Sequence, residues 1–195
     1  TVDAIGVSSQ MTESVARRLL ASHQIPRENL VVSATHTHAA PHLDGVLPNM
    51  FLGPLKPSEQ AASASYTETL TERLGDVAEA ALKHLRPGHL DWGVGAVGFA
   101  ANRRVIEDGQ WRGLGVQEDG PVEHQLPALR VTDSAGEILA LPTSYACHCT
   151  TLGGVFNEIH GEWAGVARDT FESRYPGAVA MVAIACGPDA NPEPR

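Results

Sequence analysis

Residues 163–185 read WAGVARDTFESRYPGAVAMVAIA, and this stretch decides the fold class that the sequence predicts. Its first half, residues 163–174, has the length and composition of a helix, and the pair Pro176-Gly177 ends that helix. Residues 178–185 form an unbroken apolar run, which predicts a strand. A helix that leads directly into an apolar strand is typical of proteins that mix the two elements, so the prediction is an α/β fold.

Further strands are predicted upstream of this stretch. Residues 128–132 and 138–147 flank the turn sequence DSAG at 133–136, which is the pattern of a hairpin. Glycine-rich strands are expected over residues 90–101. The polar, glycine-rich residues 107–125 predict a loop or an exposed hairpin.

The first part of the chain predicts two helices and a short strand. Thr12 is the expected N-cap of a helix that ends near His23, and residues 30–34 (LVVSA) predict a short buried strand. Residues 39–57 contain four prolines and predict a loop. A second helix is expected from Ser58, with an apolar stripe along one face. Together these elements predict a mixed β-sheet core with flanking helices.

The composition excludes several classes of protein. The chain has 195 residues, of which 43% are hydrophobic and 19% charged, so it is too apolar for a disordered tail. The net charge is −9 and no basic run is longer than the pair Arg103-Arg104, which argues against nucleic-acid binding. No apolar stretch approaches the roughly 18 residues of a transmembrane helix. Three cysteines, at positions 147, 149 and 186, cannot form a disulfide framework.

Both ends of the sequence predict an incomplete domain. There is no initiator Met and no signal peptide, and residues 1–5 (TVDAI) have the pattern of the end of a strand. Residues 187–195 follow an apolar run and then stop, where such a Gly/Pro/Asn turn normally leads into another element. We therefore expect residues 1–195 to be a single partial domain of a larger protein.

A pair of histidines follows the strand predicted over residues 30–34. The run 33–38 reads SATHTH, and residues two apart on an extended chain point to the same face. His36 and His38 are therefore expected to face one point. Neutral imidazole is the commonest protein ligand for zinc-like metals, and α/β proteins place ligand sites where strands end. The pattern favours a metal site over two surface histidines on a loop.

A third histidine ends the strand predicted over residues 138–147. In the run YACHCTT, residues 145–151, His148 projects to one face while Cys147 and Cys149 project to the other. Thiolate ligation by the cysteines is one interpretation, and burial of both as small packing residues is the better one. His148 is the candidate ligand of this segment.

Four other polar residues have structural explanations that are at least as good as functional ones. The Arg103 guanidinium could bind a carboxylate or stabilise an oxyanion, although the residues alone favour a surface pair with Arg104 that makes ion pairs. Glu162 stands at a predicted helix start, where it favours the helix dipole. Asp189 and Asn191 fit Asx turns.

Taken in order, these motifs resemble the neutral/alkaline, non-lysosomal ceramidase family, in the N-terminal part of its catalytic domain. The most specific element is T-H-T-H-x-x-P at residues 35–41. The weaker elements follow in the family's order over nearly the whole chain: Asn102-Arg103, Cys147-His148 with Thr150, Gly161-Glu162-Trp163-Ala164-Gly165, and Gly187-Pro188-Asp189-Ala190-Asn191-Pro192. The family usually has Gly-Asp where this chain has Gly161-Glu162.

The resemblance implies a zinc-dependent hydrolase of N-acyl (amide) bonds, with metal-bound water attacking the amide carbonyl. It implies that His36 and His148 are zinc ligands and that His38 and Arg103 are catalytic, His38 by hydrogen-bonding to substrate or to the bound water. The family's remaining ligands, a Glu and a Tyr, would follow Arg195. The implied substrate is a small-molecule or lipid amide, and the implied location is periplasmic or secreted.

Two alternatives stay open at this point. One keeps the metal and changes the reaction to that of an ester, lactone or phosphoester hydrolase. The other is a catalytically inactive ceramidase-like protein whose histidines are packing or surface residues. The metal hypothesis requires the nearest nitrogens of His36 and His148 to lie within about 6 Å, because zinc–nitrogen bonds are only about 2 Å long.

Overall fold

The computed structural model describes residues 1–50 and 53–194. Three α-helices occur in these ranges: α1 (Ser9–His23), α2 (Pro57–Lys83) and α3 (Glu162–Arg174). Two short 3₁₀ helices, Arg27–Asn29 and Pro48–Met50, lie in the connections. None of the helices in the described ranges combines the length and apolar character needed to cross a membrane.

The larger sheet has four strands in the order β1-β4-β5-β6 and is mixed. β1 (His89–Ala96) pairs antiparallel with β4 (Gln125–Thr132), which pairs antiparallel with β5 (Ile138–Tyr145) across the predicted hairpin. β5 pairs in parallel with β6 (Val179–Ile184), and α3 lies in the crossover that a parallel pair requires. The predicted α/β class with a mixed sheet is therefore confirmed.

The smaller sheet has three antiparallel strands in the order β3-β2-β7. β2 (Ala100–Glu107) and β3 (Gln110–Gln117) form the exposed hairpin that was one of the two predictions for residues 107–125. β7 (Ala190–Pro192) was not predicted, because its Asn and Pro are typical of turns. It forms because residues 190–192 pair antiparallel with the edge of β2, where Ala101 lies opposite Asn191.

The helices agree with the sequence except at their ends. The N-cap of α1 is Ser8, whose hydroxyl accepts a hydrogen bond from the Met11 N–H at 3.2 Å. The prediction of Thr12 as N-cap is wrong because Thr12 lies inside the helix, where its hydroxyl donates to the Ser8 carbonyl at 3.3 Å. α2 begins at Pro57, one residue before the predicted start, since proline is well tolerated in the first helical turn.

The buried strand predicted over residues 30–34 is reduced to a single parallel bridge between Val2 and Ala34. Val31 is 85% exposed, so the run lacks the burial that the prediction assumed. The Val2 N–H donates to the Ser33 carbonyl and the Thr35 N–H donates to the Val2 carbonyl, both at 2.9 Å. This bridge still anchors the segment that carries the first two histidines. Residues 51 and 52 of the predicted loop 39–57 lie outside the described ranges.

An aromatic cluster joins the two sheets beneath the histidines. Tyr145 is 1% exposed at the end of β5, and its hydroxyl donates to the Val97 carbonyl at 2.8 Å. The rings of Phe99, Tyr145 and Trp163 contact one another edge-to-face, with centroids 5.0 to 5.8 Å apart. The cluster packs the end of β5 against the starts of β2 and α3. His148 follows the end of β5, and Arg103 lies near the start of β2.

Candidate metal centre

Three imidazoles meet where the loops after Ala34 and Tyr145 approach each other. The ring centroids lie 4.6 Å apart for His36 and His148, 5.2 Å for His36 and His38, and 5.4 Å for His38 and His148. One nitrogen from each ring lies within 4.8 Å of the other two. The expected approach of His36 to His148 within about 6 Å is therefore met, and His38 joins them.

The orientation of His36 is set by a backbone carbonyl. Its Nδ1 lies 2.6 Å from the Ile5 carbonyl oxygen, which can only accept, so Nδ1 donates this hydrogen bond and Nε2 is the ring nitrogen left for a metal. The φ angle of His36 is 57°, in the left-handed region that non-glycine residues rarely occupy. The same-face argument for an extended chain therefore does not explain why His36 and His38 converge.

Two buried threonines explain the convergence instead. Thr35 is 1% exposed and its hydroxyl donates to an Asp3 carboxylate oxygen at 3.1 Å. Thr37 is 0% exposed; its hydroxyl donates to the His160 carbonyl at 2.8 Å and accepts from the Ala39 N–H at 3.1 Å. Because the threonines on both sides of His36 are buried, the histidines that alternate with them, His36 and His38, are directed into the site.

His148 is held by the segment that ends in β7. Its backbone N–H donates to the Ala190 carbonyl at 2.9 Å, and its Nδ1 donates to the Gly187 carbonyl at 3.4 Å, which again leaves Nε2 with a lone pair. Trp163 Nε1–H donates to the His148 carbonyl at 2.9 Å. Partners on β7 and α3 thus fix both the backbone and the ring of this histidine.

The electrostatics of the cluster favour the neutral form of His38 and His148. Burial, together with the smaller effect of the Arg103 charge, lowers the pKa of His148 to about 4. Burial also lowers the pKa of His38, with smaller contributions from His36 and Arg103. Neutral imidazole is the form that binds a metal. The three rings, two of them oriented through Nδ1 by backbone carbonyls, fit a zinc-like ion.

Arg103 lies beside this cluster rather than in a surface pair with Arg104. It is half-buried on β2, while Arg104 is exposed. Its backbone N–H donates to the Asp189 carbonyl at 2.7 Å, and its Nη1 donates to Asn191 Oδ1 at 3.3 Å. Asn191 Oδ1 also accepts from the Thr150 hydroxyl at 3.1 Å. Asn191 therefore connects the guanidinium to the loop that follows His148.

The cysteines are placed as packing residues. Cys147 and Cys149 are both 0% exposed and belong to separate apolar clusters, with Trp163 packed against each. Burial raises the pKa of each thiol to about 12, which disfavours the thiolate that a metal would bind. Neither is part of the group that could hold a metal.

Glu162 is a candidate whose burial could not be foreseen from the sequence. It is 1% exposed at the first position of α3, with a φ of 55°. Its Oε2 accepts from the Leu152 N–H at 2.9 Å, and its own N–H donates to His160 Nδ1 at 2.8 Å. Burial raises the pKa of the carboxyl group above its ordinary value. The only sequence signal was an acidic residue between Gly161 and an apolar helix start, which suited the helix dipole equally well.

The fold and site together define an α/β protein with a three-histidine cluster that could hold a metal ion. Neutral ceramidase from Pseudomonas aeruginosa is similar in structure, with a TM-score of 0.71 and 22% identity over 93% of this chain and 29% of that one. A ceramidase structure complexed with C2 is similar with a TM-score of 0.71 and 21% identity, over 93% and 28%. No protein-family model matches the sequence, and the search of curated proteins returns no match.

The ceramidase resemblance drawn from the motifs is thus confirmed at the level of the fold. The chain spans 28 to 29% of the length of these ceramidase structures.

Proposed function

We propose that this chain carries part of the active site of a zinc-dependent hydrolase of N-acyl bonds, similar to a ceramidase. One observation carries the proposal: the imidazoles of His36, His38 and His148 converge with one nitrogen each within 4.8 Å of the others. The ceramidase fold supports an amide substrate of the lipid or small-molecule class.

Within this proposal, His36 and His148 hold the zinc ion through Nε2. Their Nδ1 atoms donate to the carbonyls of Ile5 and Gly187, which is the outer hydrogen bond that orients a metal-binding histidine. The ceramidase resemblance supports a Glu and a Tyr beyond Arg195 as the remaining ligands. Residues 1–195 are then the N-terminal part of a larger catalytic domain, and the same resemblance supports a periplasmic or secreted location.

The side chains beside the histidines supply the remaining steps. When bound, zinc lowers the pKa of water from about 15.7 to about 7 and so supplies hydroxide at neutral pH. Arg103 is charged at every accessible pH and stabilises the negative charge that develops on the carbonyl oxygen of the substrate. A ring nitrogen of His38 would take up the proton that the water loses and pass it to the leaving amine. Loss of a donor such as Arg103 typically lowers the rate about 10² to 10³-fold.

The test is the metal content of the complete protein. We expect His36→Ala to lose zinc, because one of two imidazole ligands from this chain is removed. His89→Ala is the matched control, since His89 is exposed on β1, away from the cluster. Stoichiometric zinc in the His36→Ala protein would contradict the proposal. Purification without zinc under every metal supply would favour the inactive ceramidase-like alternative.

The reaction is tested separately from the metal. Matched N-acyl and O-acyl substrates with the same acyl chain are offered to the zinc-loaded complete protein. We expect the N-acyl bond to be cleaved and Arg103→Ala to reduce that cleavage. Faster turnover of the O-acyl substrate would favour the ester or lactone hydrolase alternative.

A further inference from the structure

One face of the larger sheet is apolar across all four strands and lies open. Side chains alternate between the two faces along each strand, so the register gathers residues of β1, β4, β5 and β6 on this face: Trp92 lies opposite Leu129, and Pro142 lies opposite Met181. A shallow apolar depression of about 380 Å³ runs between Trp92, Leu129 and Pro142. The exposed large side chains of this open face are Leu90, Trp92, Val94, Leu129 and Val179.

The opposite face of the same sheet is the one that α3 covers. Ala180 and Val182 of β6 are 5% and 6% exposed there, and Ala164 of α3 belongs to the same buried cluster as Val182. Val179, whose side chain points the other way, is 53% exposed. The strand that α3 buries from one side is therefore left open on the other.

The charged residues of the strands lie on the α3 side rather than on the open face. Asp91 and Arg130 alternate with Trp92 and Leu129, and they form an ion pair at 3.0 Å. Within the described strands β1, β4, β5 and β6, no charged side chain falls on the open face. A sheet with one face in water presents its polar residues to the water and its apolar residues to the core. The open face thus has the composition of a core face.

The chemistry of this face selects the kind of partner that it fits. It offers no Lys or Arg to a phosphate or a carboxylate, and the net charge of −9 repels an anionic membrane surface. Strands lie about 4.8 Å apart, so four of them span about 15 Å, and helices pack about 8–10 Å from one another. Two helices that present apolar stripes therefore fit side by side across the four strands.

The comparison with the ceramidase structures indicates where such helices come from. Those structures match 93% of this chain but only 28 to 29% of their own length, so most of each chain lies outside the matched part. An α/β sheet whose strands are joined through a helix is commonly covered by helices on both faces. The matched part supplies α3 for one face of the sheet only.

We infer that, in the complete protein, helices from the chain that follows residue 195 cover the open face. The inference rests on one part of the proposed function, that residues 1–195 belong to a larger catalytic domain, and it involves neither zinc nor amide hydrolysis. The added helices form the third layer of the domain, with the sheet between them and α3. Trp92 and Leu129 are the side chains that they bury.

The test places a photo-reactive p-benzoylphenylalanine at position 92 of the complete protein, irradiated with and without phosphatidylcholine vesicles. We expect a cross-linked product with the mass of one chain, in which peptide mass spectrometry joins residue 92 to a segment after residue 195. The same substitution at Ala135, in the exposed turn between β4 and β5, is the control and should not give that peptide. A product with twice the chain mass would assign the face to a second copy and overturn the inference. A lipid adduct, a cross-link to any other segment, or no cross-link would overturn it as well.

Cysteine labelling keeps the test decisive if the bulky residue at position 92 prevents folding. Leu129→Cys and Ala135→Cys are compared in the complete protein by iodoacetamide labelling and peptide mass spectrometry. We expect the cysteine at position 129 to react about 100-fold more slowly, because the covering helices must open before the reagent reaches it. Equal rates would overturn the inference. A complete protein that binds no zinc but protects position 129 would defeat the proposed metal site alone, since neither measurement needs a metal.

Discussion

Gly187 is the position where a single added methyl group should disturb the site most specifically. A Cβ at this residue would lie 2.4 Å from the Ala146 carbonyl carbon, 2.5 Å from the Cys147 nitrogen and 2.8 Å from the Ala146 oxygen. All three atoms belong to the backbone and cannot rotate away. Ordinary contact begins near 3.4 Å, so the two segments must separate by roughly 1 Å.

That separation acts directly on His148. The Gly187 carbonyl accepts the Nδ1–H of His148 at 3.4 Å, which is already the long limit of a hydrogen bond. A further 1 Å breaks it and frees the ring. We expect Gly187→Ala to lower the free energy of unfolding by about 1–3 kcal/mol, the usual cost of overpacking. Zinc affinity should fall by about 10 to 100-fold, as when an outer hydrogen bond to a ligand is removed.

The assay pairs urea unfolding with competitive zinc titration against a chelator of known affinity. Gly98→Ala is the matched control, because a Cβ at Gly98 meets no atom within 4 Å. The reasoning is refuted if Gly187→Ala binds zinc as tightly as the Gly98→Ala protein. A loss of stability with unchanged zinc affinity would also refute it, since it would show that the Gly187 carbonyl does not orient His148.

Three other outcomes follow from the structure. Leu43→Ala should lower the free energy of unfolding by about 2–5 kcal/mol in urea denaturation, because Leu43 is 0% exposed in the core between the N-terminal segment and α2. Arg18 lowers the pKa of Glu79 from 4.5 to about 2. The stabilisation of the folded state by this ion pair is therefore full above pH 4.5 and lost as the pH falls to 2. Glu79→Gln should flatten the pH dependence of the free energy of unfolding in urea across that interval. Iodoacetamide should label Cys186 alone in the native protein by mass spectrometry, because Cys186 is exposed and the other two thiols are buried; labelling of Cys149 would contradict its placement.

The parts of the fold that the sequence predicted are those with a strong local pattern. Residues 163–185 form α3 and β6 almost as predicted, because the Pro-Gly pair that ends the helix and the continuous apolar run of the strand are both local signals in the sequence. β7 could not be predicted, since its three residues pair only because β2 offers an edge. The strand predicted over residues 30–34 is reduced to one bridge because an apolar run does not by itself supply a strand partner, and Val31 stays exposed.

The histidine cluster shows the same division between local pattern and tertiary context. The motif spacing identified His36, His38 and His148, but the reason first given for the convergence was an extended backbone. The backbone of His36 is in fact in the left-handed region, and hydrogen bonds to Asp3 and His160 hold Thr35 and Thr37 on either side of it. These partners lie 32 and 123 residues from the threonines that they hold, so no local pattern indicates them.

The central claim, that one zinc ion is shared by two imidazoles, is tested most directly by anomalous diffraction at the zinc absorption edge from crystals of the zinc-loaded complete protein. We expect one full-occupancy peak about 2.0–2.1 Å from Nε2 of both His36 and His148. A peak bound to only one of these nitrogens, or zinc located away from both, would contradict the account.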